Sequence, residues 1–234
     1  MAKALLLASG LGTRMRPITL TTPKPLVEVN GKPLIETVID GLNQVGVNKI
    51  FIAVGYLAEK FNYLKDKYSN VELILNDEYL TVNNISSFKA AIPFIEGDDC
   101  YICESDLYLQ EPSVLSNQSE SYYCGLFCDD ETDDWCFTLD NDGFINRVGK
   151  KGKHCHKMVG LSFLKAHDIM TLSEAILKTY KTDNFKDLFW DDVVNQNLDK
   201  LKLKIHEVSV GSVIEVDNVE ELEELRKSFQ NKEE

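Results

Sequence analysis

Residues 5–29 read LLLASGLGTRMRPITLTTPKPLVEV. An unbroken apolar run enters a loop with glycines at 10 and 12 and arginines at 14 and 16, followed by a lysine between two prolines. An apolar run without polar alternation suits a strand buried on both faces, as in a parallel sheet. Gly10 and Gly12 let backbone N–H groups turn toward phosphate oxygens that side chains at those positions would obstruct. Arg14 and Lys24 can then neutralise a polyphosphate. Two better-known glycine loops are excluded. Gly10-Leu11-Gly12 is followed by Thr13, Arg14 and Met15, so the third glycine of a dinucleotide fingerprint is missing. The lysine and hydroxyl pair of a Walker A loop is also missing.

Outward from this stretch, amphipathic and apolar segments alternate. LIETVIDGLNQVG at 34–46 repeats Leu34, Val38 and Leu42 along one helical face. KIFIAVG at 49–55 reads as a strand, LAEKFNYLKDKY at 57–68 as a helix and VELILN at 71–76 as a strand. This order, β, α, β, α, β, predicts an α/β fold: a Rossmann-like, mostly parallel mixed sheet flanked by helices. SSFKAAIPFI at 86–95 predicts a helix broken near Pro93, and DCYICES a strand running into Asp106. From about 121 to 165 the texture turns hairpin-like, with DNDG at 140–143 as a turn, which predicts a small β-rich substrate lobe in the second half. A helix over about 169–180, a strand in KLKLKIHEV, a terminal helix over about 218–229 and a frayed QNKEE tail complete the reading. The expectation is one domain over 1–234, with residues 1–120 as a nucleotide-binding half and 121–234 as an acceptor-binding half.

The 234 residues, 44% hydrophobic and 27% charged, describe a globular chain with a net charge of −13. That charge disfavours nucleic acid and anionic membrane as partners. Residues 1–32 nevertheless hold Lys3, Arg14, Arg16, Lys24 and Lys32 against the single acid Glu28, so an anionic ligand is expected there. No stretch approaches the roughly 20 apolar residues of a membrane span, and MAKALLLASG reaches glycine and arginine too early for a signal peptide, so a cytoplasmic location is expected. Nothing specifies an oligomeric state. The six cysteines are expected as free thiols, with Cys100, Cys103, Cys124 and Cys128 in the core and no zinc site at Cys100/Cys103 or His154/His156.

LLLASGLGTRMRP…PKPL resembles the signature of the nucleotidyltransferases that make nucleoside-diphosphate sugars and alcohols. The likeness to their bacterial CTP:phosphocholine cytidylyltransferase branch runs through VGYLAEKFNYLKDKY (54–68), NDEY (76–79), NNISS (83–87), ESDLYL (104–109), DDW (133–135), DLFWD (187–191) and IEVD (214–217). The resemblance implies that Leu7, Ala8, Gly10, Gly12, Thr13, Arg14 and Lys24 line a CTP site, with Asn84 and Ser87 near base and ribose. It implies Asp106 as the principal magnesium ligand, with Glu215 and Asp217 supplying further carboxylates. Extended backbone puts Glu215 and Asp217 on one side; the rival reading makes Asp217 the N-cap of the last helix. The implied reaction is attack by an acceptor phosphate oxygen on the α-phosphorus of CTP, with Arg14, Lys24 and Asp106 as the catalytic set and Mg2+ as cofactor.

The expected acceptor is a small phosphorylated amino alcohol, phosphocholine first. A quaternary ammonium is held by aromatic faces and a carboxylate, which Trp135, Phe189, Trp190 and Asp191 offer. Phe189 replaces the tyrosine usual in DLYWD, and ESD at 104–106 resembles enzymes that activate 2-aminoethylphosphonate. The alternatives are therefore that phosphonate, phosphoethanolamine or a sugar 1-phosphate, and, from another class, a non-catalytic nucleotide-binding regulator. KKGKHCHK at 150–157 reads either as a solvated hairpin turn or as a strap whose Lys151 and Lys153 hold the incoming phosphate.

Overall fold

The computed structural model describes residues 2–116 and 119–230. In chain order the strands are β1 (Lys3–Ala8), β2 (Glu28–Val29), β3 (Lys32–Pro33), β4 (Lys49–Val54), β5 (Val71–Leu75), β6 (Cys100–Glu104), β7 (Leu107–Leu109), β8 (Tyr122–Cys128), β9 (Thr132–Leu139), β10 (Ile145–Gly152), β11 (Cys155–Leu164), β12 (Lys204–Glu207) and β13 (Val213–Glu215). The helices are α1 (Leu34–Gln44), α2 (Tyr63–Lys67), α3 (Ile85–Ile95), α4 (Ala166–Thr179), α5 (Trp190–Asn195) and α6 (Val219–Gln230).

β5, β4, β1 and β6 lie side by side and all run parallel. β1, at the centre, sends Ala4, Leu6 and Ala8 into an apolar cluster shared with α1, and Leu5 into a second cluster shared with α3, α4 and α5. Burial on both faces is why this strand tolerates no polar alternation. The expected parallel sheet flanked by helices is therefore what forms. The α1 face of Leu34, Val38 and Leu42 is fully buried, as its spacing predicts.

β11 joins this parallel core to the antiparallel lobe. Its second half pairs with β6 and its first half with β9, while β8 runs along it and β10 closes on β9. The switch falls near Gly160, at φ 72°, where a Cβ would lie 3.1 Å from Leu107 Cδ1 and 3.2 Å from Glu104 Cβ. Glycine is needed there for both reasons. The DNDG turn forms between β9 and β10, with Asp140 Oδ1 accepting the N–H groups of Asp142 and Phe144 at 2.9 Å.

α3 corrects the expected break at Pro93, since it continues to Ile95. Proline two residues before a helix end removes only one ladder donor, and the buried face of Phe88, Ala91, Ile92 and Ile95 holds the last turn. All six cysteines are free. Cys100 and Cys103 point into opposite apolar clusters, and Cys124 is buried, but Cys128 at the end of β8 is only half-buried. The expected fraying of QNKEE falls, beyond Gln230, outside the described residues. Among the described residues no helix is long and apolar enough to cross a membrane.

Leu6→Ala should cost about 2–5 kcal/mol in urea unfolding. Leu75→Ala, on the edge strand and 65% exposed, should stay within about 0.5 kcal/mol. Equal effects would contradict the central placement of β1.

Candidate active site

The loop after β1 is fixed by contacts that only a small residue permits. Gly12 sits at φ 58°, and a Cβ there would come 3.0 Å from Thr19 Cγ2 and 3.1 Å from Lys24 Cβ. The Thr19 hydroxyl donates to the Gly12 carbonyl at 2.7 Å. Gly10 has nothing within 4 Å of its Cβ position, so its face toward the cleft is open. Pro23 and Pro25 bracket Lys24 in a short 3-10 turn, and the lysine is buried to 8% exposure with its ammonium turned toward the sheet.

That ammonium donates to Asp106 Oδ2 at 2.6 Å and to Asp217 Oδ1 at 2.7 Å, while Arg14 Nη2 reaches the same Asp217 oxygen at 2.6 Å. Burial works to lower the Lys24 pKa, but Asp106 and Asp217 outweigh it and the net shift is upward, so the side chain stays charged. Asp217 is not the cap of α6. Asn218 accepts the N–H of Glu221 at 2.9 Å, and Glu221 reaches back to the Asp217 N–H at 2.6 Å, which leaves the Asp217 carboxylate for the two cations.

IEVD reaches Asp106 because β13 pairs antiparallel with β7, setting Glu215 opposite Leu107, and Val216 N–H donates to the Asp106 carbonyl. One carboxylate oxygen from each of Glu104, Asp106 and Glu215 lies within 4.8 Å of the others. The sequence reading named Asp106 and Glu215 but not Glu104, which stands two residues before Asp106 in ESD. Asp106 Oδ1 is buried and, among the described residues, has no hydrogen-bond partner. Glu215 is exposed as a residue, yet the protein packed round its carboxyl, with Asp106 and Asp217 beside it, pushes its pKa up to about 8. Burial, then Asp106 and Glu215, raise Glu104 well above the usual carboxylate range. Crowded carboxylates with an orphaned buried oxygen are hard donors that fit a divalent ion of the magnesium type.

Two hollows adjoin at this point and share Leu7, Gly10 and Asp106. One, of about 250 Å³, is lined by Ala8, Gly12, Thr13, Arg14, Lys24 and Asp217. The other, of about 220 Å³, is lined by Asn76, Tyr79, Asn84 and Ser87. Asn76 Nδ2 donates to Ser86 Oγ at 2.8 Å and Ser87 Oγ at 3.0 Å, and Ser87 Oγ donates to Ser9 Oγ at 3.1 Å, so this wall is held in place before any ligand arrives. Asn84 is engaged with the DLFWD segment, its Oδ1 accepting the Trp190 N–H at 3.0 Å.

The four expected acceptor residues separate into two groups. Trp135 and Phe189 are half-buried neighbours, ring centroids 5.4 Å apart and nearly edge to face. Trp190 is 4% exposed and stacked between Phe88 and Tyr123, in the core. Asp191 is 2% exposed and accepts the Tyr123 hydroxyl at 3.0 Å. Burial raises its pKa to about 7, tempered by that hydrogen bond. Lys151 and Lys153 are exposed, 3.6 Å from Asp133 and 4.0 Å from Glu131, and line neither hollow, which favours the solvated-turn reading for those two lysines.

The family described as "Nucleotidyl transferase" matches residues 3–119. The choline-phosphate cytidylyltransferase of Streptococcus pneumoniae is 36% identical, covering 98% of this chain and 99% of its own. This chain belongs to the nucleotidyl transferase family. The 2-aminoethylphosphonate cytidylyltransferase of Lancefieldella rimae is 46% identical over 94% of this chain and 89% of its own length. The solved structure of CTP:phosphocholine cytidylyltransferase from Streptococcus pneumoniae superposes with a TM-score of 0.90, at 36% identity over 97% of this chain and 99% of that one. The nucleotidyltransferase is an enzyme, and cytidylyltransferase activity is supported by these relatives at high coverage.

The raised Asp191 pKa gives a pH test. The folded state holds this proton above the pH at which the unfolded chain releases it, so the stabilisation is complete below about pH 4 and is lost as pH rises through about 7. The melting temperature of Asp191→Asn minus that of the wild type should therefore increase from pH 4 to 7 and then level off. A difference that stays flat across this range would contradict the buried neutral carboxyl.

Proposed function

We propose that this nucleotidyltransferase transfers CMP from CTP to a small zwitterion that combines an anionic phosphoryl or phosphonyl group with a cationic amine, releasing pyrophosphate. Phosphocholine, the expectation from the sequence, and 2-aminoethylphosphonate, the substrate in the name of the Lancefieldella rimae relative, both belong to this class. The observation that carries the reading is the meeting of the Gly10–Lys24 loop with Glu104, Asp106, Glu215 and Asp217 where the two hollows join.

In this reading the hollow beside Asn76, Asn84 and Ser87 takes the nucleoside, and the one beside Gly12, Thr13 and Arg14 takes the triphosphate. Backbone N–H groups of the loop face the phosphates, and Arg14 and Lys24 trade part of their hold on Asp217 and Asp106 for phosphate oxygens. Asp106 and Glu215 would hold the metal, with Glu104 beside them, and Asp217 would become available once its cations engage the triphosphate. Magnesium would supply neutralisation of the charge on the transferring phosphoryl group. The acceptor, already an anion at neutral pH, needs orientation more than a general base. Trp135, Phe189 and Asp191 are the groups this reading assigns to its amine end. The expected division of labour, nucleotide over 1–120 and acceptor over 121–234, is part of the same reading.

A pyrophosphate-release assay crossing four nucleotides with phosphocholine, 2-aminoethylphosphonate, phosphoethanolamine and glucose 1-phosphate tests it. CTP with an amine-bearing acceptor should be fastest, and a chelator should abolish turnover until Mg2+ is restored. Asp106→Ala and Lys24→Met should each lower kcat by about 100-fold or more. Preference for another nucleotide, or full activity of Asp106→Ala, would overturn the proposal.

A further inference from the structure

The segment 150–157 holds four lysines, and three of them face carboxylates. Lys151 lies 3.6 Å from Asp133, Lys153 4.0 Å from Glu131 and Lys157 2.6 Å from Asp134. Lys150 differs: among the described residues no carboxylate stands within ion-pair distance of it. Its ammonium instead lies 5.8 Å from the ring centroid of Trp135 and 5.8 Å from that of Phe189. The backbone puts it there. Lys150 is the register partner of Trp135 across β9 and β10, so the two side chains share a face. The ladder is irregular immediately after Lys150, and Lys151 takes a left-handed φ of 65°, which parts the two neighbouring lysines. Arg147 Nη2 donates to the Lys150 carbonyl at 2.5 Å and fixes the strand at this point.

The aromatic pair thus already has a cation of its own. A trimethylammonium cannot donate N–H hydrogen bonds and relies on ring faces such as these. Placed on the same rings it would meet the charge of Lys150 at short range, and like charges repel. A primary ammonium has another place to go. Next to Phe189 in the chain, Trp190 and Asp191 line, with Glu104, Tyr123 and the apolar Met158 and Leu161, an enclosed hollow with about 10 Å³ of water-accessible space. That is room for one water-sized group at most, an –NH3+ whose charge would draw the proton off the Asp191 carboxyl, and is too small for a trimethylammonium.

We propose that Lys150 is a specificity-determining residue: by occupying the shared faces of Trp135 and Phe189 it turns away quaternary ammonium acceptors and reserves the site for acceptors with a primary ammonium, docked beside Asp191. The inference rests on the acceptor site of the proposed function and narrows its substrate to the aminoethyl class, 2-aminoethylphosphonate or phosphoethanolamine.

The test compares wild type, Lys150→Met and Lys150→Arg with CTP and each of the three amine acceptors, and follows phosphocholine binding by tryptophan fluorescence. Wild type and Lys150→Arg should favour the primary amines, the two aminoethyl acceptors being separate arms of the assay. Lys150→Met, which keeps the aliphatic stem, should raise kcat/KM for phosphocholine about tenfold, through KM and with a matching gain in binding, while the KM for CTP stays unchanged. Wild-type preference for phosphocholine, or no gain for phosphocholine in Lys150→Met, would overturn the role of Lys150 and leave the proposed function standing. No turnover with any acceptor would instead overturn the proposed function, and this inference with it.

Discussion

The ammonium of Lys24, buried between Asp106 and Asp217, is the contact on which the arrangement of the site depends. It ties together the loop after the first strand, the end of β6 and the segment before the last helix, positions separated in the chain by 82 and 193 residues. A buried charge is tolerated only when paired, and removing either kind of partner exposes the other to a desolvation penalty. The same contact keeps carboxylates and cations poised at one point. Any anion that draws Lys24 and Arg14 toward itself loosens Asp217, so phosphate recognition and the availability of carboxylate oxygens are coupled through two side chains.

The sheet explains why these groups meet. The carboxyl ends of parallel strands open onto a crevice, and β1 and β6 deliver the glycine loop and Glu104–Ser105–Asp106 to adjacent positions along it. β11, kinked at Gly160, carries the antiparallel lobe to the far side of the same crevice, and Glu104 packs directly against that kink. Asn83 and Asn84 bind the backbone of residues 186–190, so the wall of one hollow also positions Phe189 and Trp190. The proposed nucleotide wall and the proposed acceptor residues are thus one hydrogen-bonded unit, although the sequence separates them by about 100 positions.

Much of this could be read from the residues because local rules and tertiary demands coincide. The apolar run at 3–8, the spacing of Leu34, Val38 and Leu42, and the DNDG turn each state their structure locally. Gly12 could be read as a phosphate-loop glycine, and the structure adds that its neighbours Thr19 and Lys24 leave no space for a side chain. Other features depend on register or distance. Pro93 would stop an isolated helix, but burial of the surrounding face carries α3 past it. Glu104 stands two residues before Asp106 in ESD and could have been named with it; the resemblance gave Glu215, and the antiparallel pairing of β13 with β7 is what brings it to them. Which of four lysines meets the aromatic pair was hidden, because an irregular ladder and one left-handed residue decide it.

The most direct test of the account is a crystal structure with a non-hydrolysable CTP analogue and Mg2+. The account expects the triphosphate against the Gly10–Thr13 backbone, Lys24 Nζ on a phosphate oxygen, and the ion held by Asp106 and Glu215. A nucleotide bound elsewhere, or an ion that touches neither of those carboxylates, would contradict it.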